Sequence, residues 1–315
     1  MHSIRTKLRS PGAVAYTVLV VVWLVYAGLS LLAPVNKSLE RYHISVHQYH
    51  LLRATIYLPL LFIWWAVLFG ALRFNRYAQM VAGTPEGQGF KKIALGLWVL
   101  LASIIVPSFV AFIASFNPDS VIVEKYVAIT RNYLTVILYL VAFWQILQAA
   151  RVLSGSVEGG GLTAQRARPM VIAVLVLLSA VYVGLVFNNE FRTFSNDPII
   201  KPVYYLPDLL ILLTVIIPYI FAWLWGSLAV LHIAVFARKV PGTIYRKAFR
   251  SVACGLVIIT VFLIMVQLIS QARGFFSQAS LPIVLGIIYI LLIVIGIGYV
   301  SIARGARALA TIEKV

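Results

Sequence analysis

Eight stretches of almost uninterrupted apolar side chains follow one another along the chain, separated by short polar segments. They cover residues 13–34, 50–72, 93–116, 127–150, 169–188, 206–236, 252–271 and 282–303. A helix needs about 20 apolar residues to cross a hydrocarbon core of roughly 30 Å. The pattern therefore predicts an all-α integral membrane protein with eight transmembrane helices. Composition agrees: 62% of residues are hydrophobic and 11% charged, where a soluble domain carries roughly a quarter charged residues. A fold in water could not bury this much apolar surface.

The apolar pattern also repeats. Shifted by 159 residues without a gap, positions 55–97 fall on 214–256, and thirteen of the 43 pairs are identical. Chance would supply about four in so biased a composition. "TIYLPLLFIWW" at Thr55 meets "TVIIPYIFAWLW" at Thr214, so Thr55/Thr214, Pro59/Pro218 and Trp64/Trp223 coincide. At a shift of 156 the flanking helices align as well: "VYAGL" at Val25 with "VYVGL" at Val181, and "AARVL" at Ala149 with "GARAL" at Gly305. The expectation is a duplication, with a first four-helix repeat at 1–155, a Gly-rich cytoplasmic linker at 156–161 and a second repeat at 162–315. An even number of spans per repeat gives both the same orientation, related by an axis along the membrane normal. The first apolar run is longer than a signal-peptide core and has a partner in the fifth, which marks it as a structural span.

Charge adds the topology. The net charge is +17. With the N-terminus inside, inner segments hold 18 Lys/Arg against three acids, and outer segments hold eight against six. This is the positive-inside asymmetry, and it places both termini in the cytoplasm of what reads as a bacterial cytoplasmic membrane. A charge spread in this way serves topology and anionic lipid heads and not nucleic acid. The lone cysteine, Cys254, excludes an intrachain disulfide.

Within a helix Pro59 cannot donate to the carbonyl of Thr55 and clashes with it, and Pro218 stands in the same relation to Thr214. A threonine hydroxyl four residues back can bond locally and deepen the bend. Thr-x-x-x-Pro thus reads as a kink module in the second and sixth helices. Either the bends shape packing alone, or with Trp64 and Trp223 they border a cavity between the repeats. Pro107 has no counterpart at Val266. The loops "VAGTPEGQGF" and "VPGTIYRKAF" read as turns that start helices, with Thr84 and Thr243 as N-caps.

Candidate chemistry is sparse. His43, His47 and His50 share a helical face at i, i+4, i+7 and could take zinc or copper; the alternative is an interfacial helix at headgroup level. No other cofactor is expected. A haem would need a second histidine opposite His232, a retinal would need a mid-span lysine, and neither exists. Arg53 and Asp208 could pair between repeats near the outer face. Gln145, Gln148 and Gln267 are too few for a proton relay, which disfavours ion-driven transport of charged substrates. No nucleophile–base set appears, so the reading leans away from an enzyme.

The resulting expectation is a carrier, channel or flippase for a neutral or amphipathic small molecule or lipid at the inter-repeat interface. The first alternative is a non-catalytic membrane scaffold, complex subunit or receptor-like binder, and the second a metal-dependent enzyme using the outer histidines. Expected partners are membrane lipids, a hydrophobic ligand and an oligomeric or complex partner.

Overall fold

The computed structural model describes residues 11–32, 46–115, 121–196, 216–271 and 281–311. These form eight α-helices: α1 (Pro11–Leu32), α2 (Val46–Met80), α3 (Pro85–Ser115), α4 (Val121–Gly155), α5 (Gly160–Asn196), α6 (Ile217–Lys239), α7 (Thr243–Gln271) and α8 (Leu281–Thr311). No strand occurs among the described residues. Among the described residues, six segments are long and apolar enough to cross a bilayer: Pro85–Val110, Tyr133–Gly155, Gly160–Leu185, Ile217–Lys239, Thr243–Leu268 and Gly286–Leu309. A shorter apolar helix runs Gly12–Gly28. Helices suit such sequences because a backbone in lipid must satisfy its own N–H and C=O groups.

The loops at the Arg/Lys-rich end, called here the basic end, are tight. Between α2 and α3 the chain turns at Gly83, whose φ of +88° favours glycine. The Gly87 N–H then donates to the Thr84 hydroxyl oxygen at 3.0 Å, so Thr84 is the N-cap, and Pro85 takes the first helical position, where its missing N–H costs nothing. The matching turn at Gly242 has φ +85°. There Thr243 is already helical, and the Arg246 N–H bonds to the Gly242 carbonyl at 3.2 Å. Thr243 is thus the first residue of α7 and not its cap. The Gly-rich linker is shorter than its composition suggests: only 156–159 lie outside helix, held by Lys239 Nζ donating to the Glu158 carbonyl at 3.2 Å.

Helices pack in chain order within 11–155 and within 160–311, with α1 against α2, α2 against α3 and α3 against α4, then α5 against α6, α6 against α7 and α7 against α8. The halves meet most extensively through α4 on α6 and α2 on α8, with a smaller contact of α4 on α5. Glycine sets the closest approaches. A Cβ on Gly96 would lie 2.5 Å from Ile146 of α4, and one on Gly255 would overlap the Gly298 carbonyl and Ile302 of α8.

An aromatic cluster closes the junction at the basic end. Phe90 and Phe249 stack with centroids 5.8 Å apart. Tyr77 meets Phe90 edge-on at 4.9 Å, and Phe236 meets Phe249 the same way at 4.7 Å. The Tyr77 and Tyr245 hydroxyls hydrogen-bond at 2.7 Å. Edge-on and offset geometries are those that ring quadrupoles favour. All three phenylalanines are buried, Phe249 completely.

Candidate functional site

The seam between α2 and α8 opens sideways into a groove of about 330 Å³. Pro59, Phe62 and Ile63 form one wall, and Gly296 thins the opposite helix so that the walls stand apart. A Cβ at Gly296 would touch Ile63 at an ordinary 3.8 Å, so the glycine leaves room without forcing contact. Phe62 turns outward, 66% exposed. The groove therefore faces the lipid side of the bundle.

Among the described residues, polar groups occur only toward its two ends. Toward the basic end the lining includes Ser301 and Arg304. The Ser301 carbonyl accepts a hydrogen bond from the Ser251 hydroxyl of α7 at 2.7 Å, which holds α7 and α8 together below the groove. Past the opposite end, one turn beyond Pro59, the Thr55 hydroxyl hydrogen-bonds the Tyr289 hydroxyl of α8. Thr55, four residues before Pro59, thus joins α2 to α8. An apolar trough with a guanidinium at one end matches an amphipathic molecule, with its chain along the walls and a polar or anionic group at Arg304.

The other sequence-predicted residues lie elsewhere. Trp64 is fully buried against Tyr26 of α1 at 5.9 Å, and Trp223 is buried against Tyr182 of α5 at 5.0 Å. Both are packing anchors outside the groove. Pro218 sits in the first turn of α6. Thr214, His43 and Asp208 lie outside the described residues. His47, His50 and Arg53 fall within α2, but their side chains are not among those described. Among the described residues no group of His, Cys, Asp or Glu could hold a metal ion. His232, considered for haem, bonds the Ser154 hydroxyl through Nδ1 at 2.7 Å.

Sequence reasoning missed Gly296, Ser301 and Arg304. Thr55 and Tyr289 are 234 residues apart, and no periodicity within one helix reports which distant helix it meets. The available signal was the expected repeat, under which α4 on α6 would imply α8 on α2. No protein-family model, curated protein or solved structure matches this chain.

Proposed function

We propose that the protein is a carrier or flippase for a neutral or amphipathic small molecule or lipid, and that the α2–α8 groove is its path. In this reading α1 and α2 also span, which completes eight transmembrane helices in a cytoplasmic membrane with the basic end inside. The observation that carries the reading is the lipid-open, apolar groove beside Pro59, ending at a single guanidinium. Pro59 lies inside α2, where its ring leaves the Thr55 carbonyl without its helical N–H donor, the usual origin of a helix kink.

The architecture in this proposal is two four-helix repeats, 1–155 and 162–315, of parallel orientation. Matching contacts support it. Tyr26 on Trp64 and Tyr182 on Trp223 are related by the 156 and 159 shifts, as are Gly96 on Ile146 and Gly255 on Ile302. The α4–α6 and α8–α2 contacts exchange under the same operation.

The test is flux of a fluorescent lipid analogue across liposomes holding the purified protein. Flux above that of protein-free liposomes is expected, falling in Gly296→Leu, which fills the groove, and in Pro59→Ala, which removes the proline ring from its wall. Flux equal to that of protein-free liposomes would end the transport reading. A scaffold is the second reading, favoured by the close-packed aromatic junction at Phe90 and Phe249. It predicts a fixed partner that co-purifies from native membranes.

A further inference from the structure

A second cavity shares no residue with the groove. Between the basic ends of α6 and α7 lies a cleft of about 350 Å³, lined by Ala234, Ala237 and Arg238 of α6 and by Arg250 and Ala253 of α7. The α6 residues are spaced i, i+3, i+4 and the α7 residues i, i+3, so each set occupies one face of its helix. Three alanines make a floor free of long side chains. Arg238 and Arg250 stand exposed at the rim, and no carboxylate lines the cleft. The neighbouring cation, Lys239, is engaged by the Glu158 carbonyl.

Two guanidiniums on one cleft repel each other, and the lining offers no anion to offset that. A tetrahedral oxyanion would. Each guanidinium presents a fork of N–H donors that matches two phosphate oxygens at once. The volume lies within the range of small-ligand pockets, roughly 300–1,000 Å³. Its level suits a phosphate of the membrane interface, because the α6 apolar segment ends at Lys239 and that of α7 begins at Thr243.

The comparison across the 159-residue shift sharpens the argument. Ala237 and Ala253 fall on Ala78 and Ala94, whereas Ala234, Arg238 and Arg250 fall on Asn75, Gln79 and Lys91. The floor is common to both positions and the guanidinium pair is not. Anchoring helices among lipid heads would ask for the same charges in both places; a ligand held at one place asks for the forked donors only there.

We infer that this cleft is a phosphoryl-anion site in which Arg238 and Arg250 together grip the phosphate of a lipid headgroup or of a soluble phosphorylated compound. The inference does not depend on transport through the groove. Native mass spectrometry of the full chain in detergent tests it, with short-chain phosphatidic acid and phosphatidylcholine as probes. Arg238→Gln/Arg250→Gln is compared with Arg246→Gln/Lys247→Gln, which removes two exposed neighbours that do not line the cleft.

Phosphatidic acid is expected to bind in preference to phosphatidylcholine, whose choline covers the phosphate. The cleft variant should bind it at least about tenfold more weakly, since each charged hydrogen bond contributes on that scale, and the neighbour variant should bind as the wild type does. Inorganic phosphate that displaces the lipid assigns the site to soluble phosphates; failure to displace it assigns the site to headgroups. Unchanged binding in the cleft variant overturns the inference, as does equal loss in both variants, which would mark a general charge effect. Should the double variant fail to fold, Arg250→Lys keeps the charge, removes the fork, and must still weaken binding.

Discussion

Trp64 and Trp223 show how a polar atom is spent in the apolar interior. Each is buried with its indole Nε1 unpartnered, so ring volume and not the N–H holds it there. Replacing either with Phe keeps most of the packing and removes a buried donor that makes no bond, so the cost should stay below about 2 kcal/mol; Ala should cost about 3–5 kcal/mol. Thermal unfolding in detergent separates the two outcomes, and a Phe variant as damaged as Ala would mean the indole N–H has a partner. Gly96 and Gly255 are the opposite case, valued for what they lack. Gly255→Val should destabilise by about 3 kcal/mol or more, because the obstruction is the Gly298 backbone, which cannot rotate aside.

At the scale of the element, helices here are bounded by local chemistry and steered by distant contacts. Thr84 caps α3 through its hydroxyl, so Thr84→Ala should cost about 1 kcal/mol. Thr243→Ala should cost a few tenths at most, since Thr243 is the first residue inside α7, with the Arg246 N–H bonded to the Gly242 carbonyl before it. Equal losses in unfolding experiments would contradict the structure. Gly83→Ala and Gly242→Ala should each cost about 1–2 kcal/mol, since both turns need a positive φ that a Cβ opposes. The two Gly-Thr turns were legible in the sequence, but the difference between their caps was not. The same Gly-Thr pair supports two ways of satisfying the first N–H groups, and the residue after the threonine selects one: Pro85 in the first case, Ile244 in the second.

For the molecule as a whole, the junction of the two halves decides behaviour. The Tyr77–Tyr245 bond and the Phe90–Phe249 stack tie them together at the basic end. A double-mutant cycle with Tyr77→Phe and Tyr245→Phe should give a coupling of about 0.5–1.5 kcal/mol. A coupling near zero would mean the halves are not joined there. Chains cut within 156–159 and co-expressed should still assemble, because the α4–α6 and α2–α8 contacts and the aromatic cluster do not run through that turn. Failure to co-purify would give the linker a larger part than the structure assigns it. Orientation is tested separately: Ser156→Cys should be labelled by an impermeant thiol reagent only from the cytoplasmic side.

The sequence alone determined the solvent, the helical content and the tight turns, because lipid requires long apolar segments whose backbone bonds stay within the segment. It also carried the evidence for a repeat, in residues 156 and 159 apart. Only the tertiary structure decided that Trp64 and Trp223 serve the core, that Thr55 meets Tyr289, and that Arg238 and Arg250 border one cleft. Those outcomes depend on which faces of distant helices meet. Between helices apolar on nearly every side, one-dimensional periodicity does not distinguish one face from another, whereas packing, through glycine contacts and ring geometry, does.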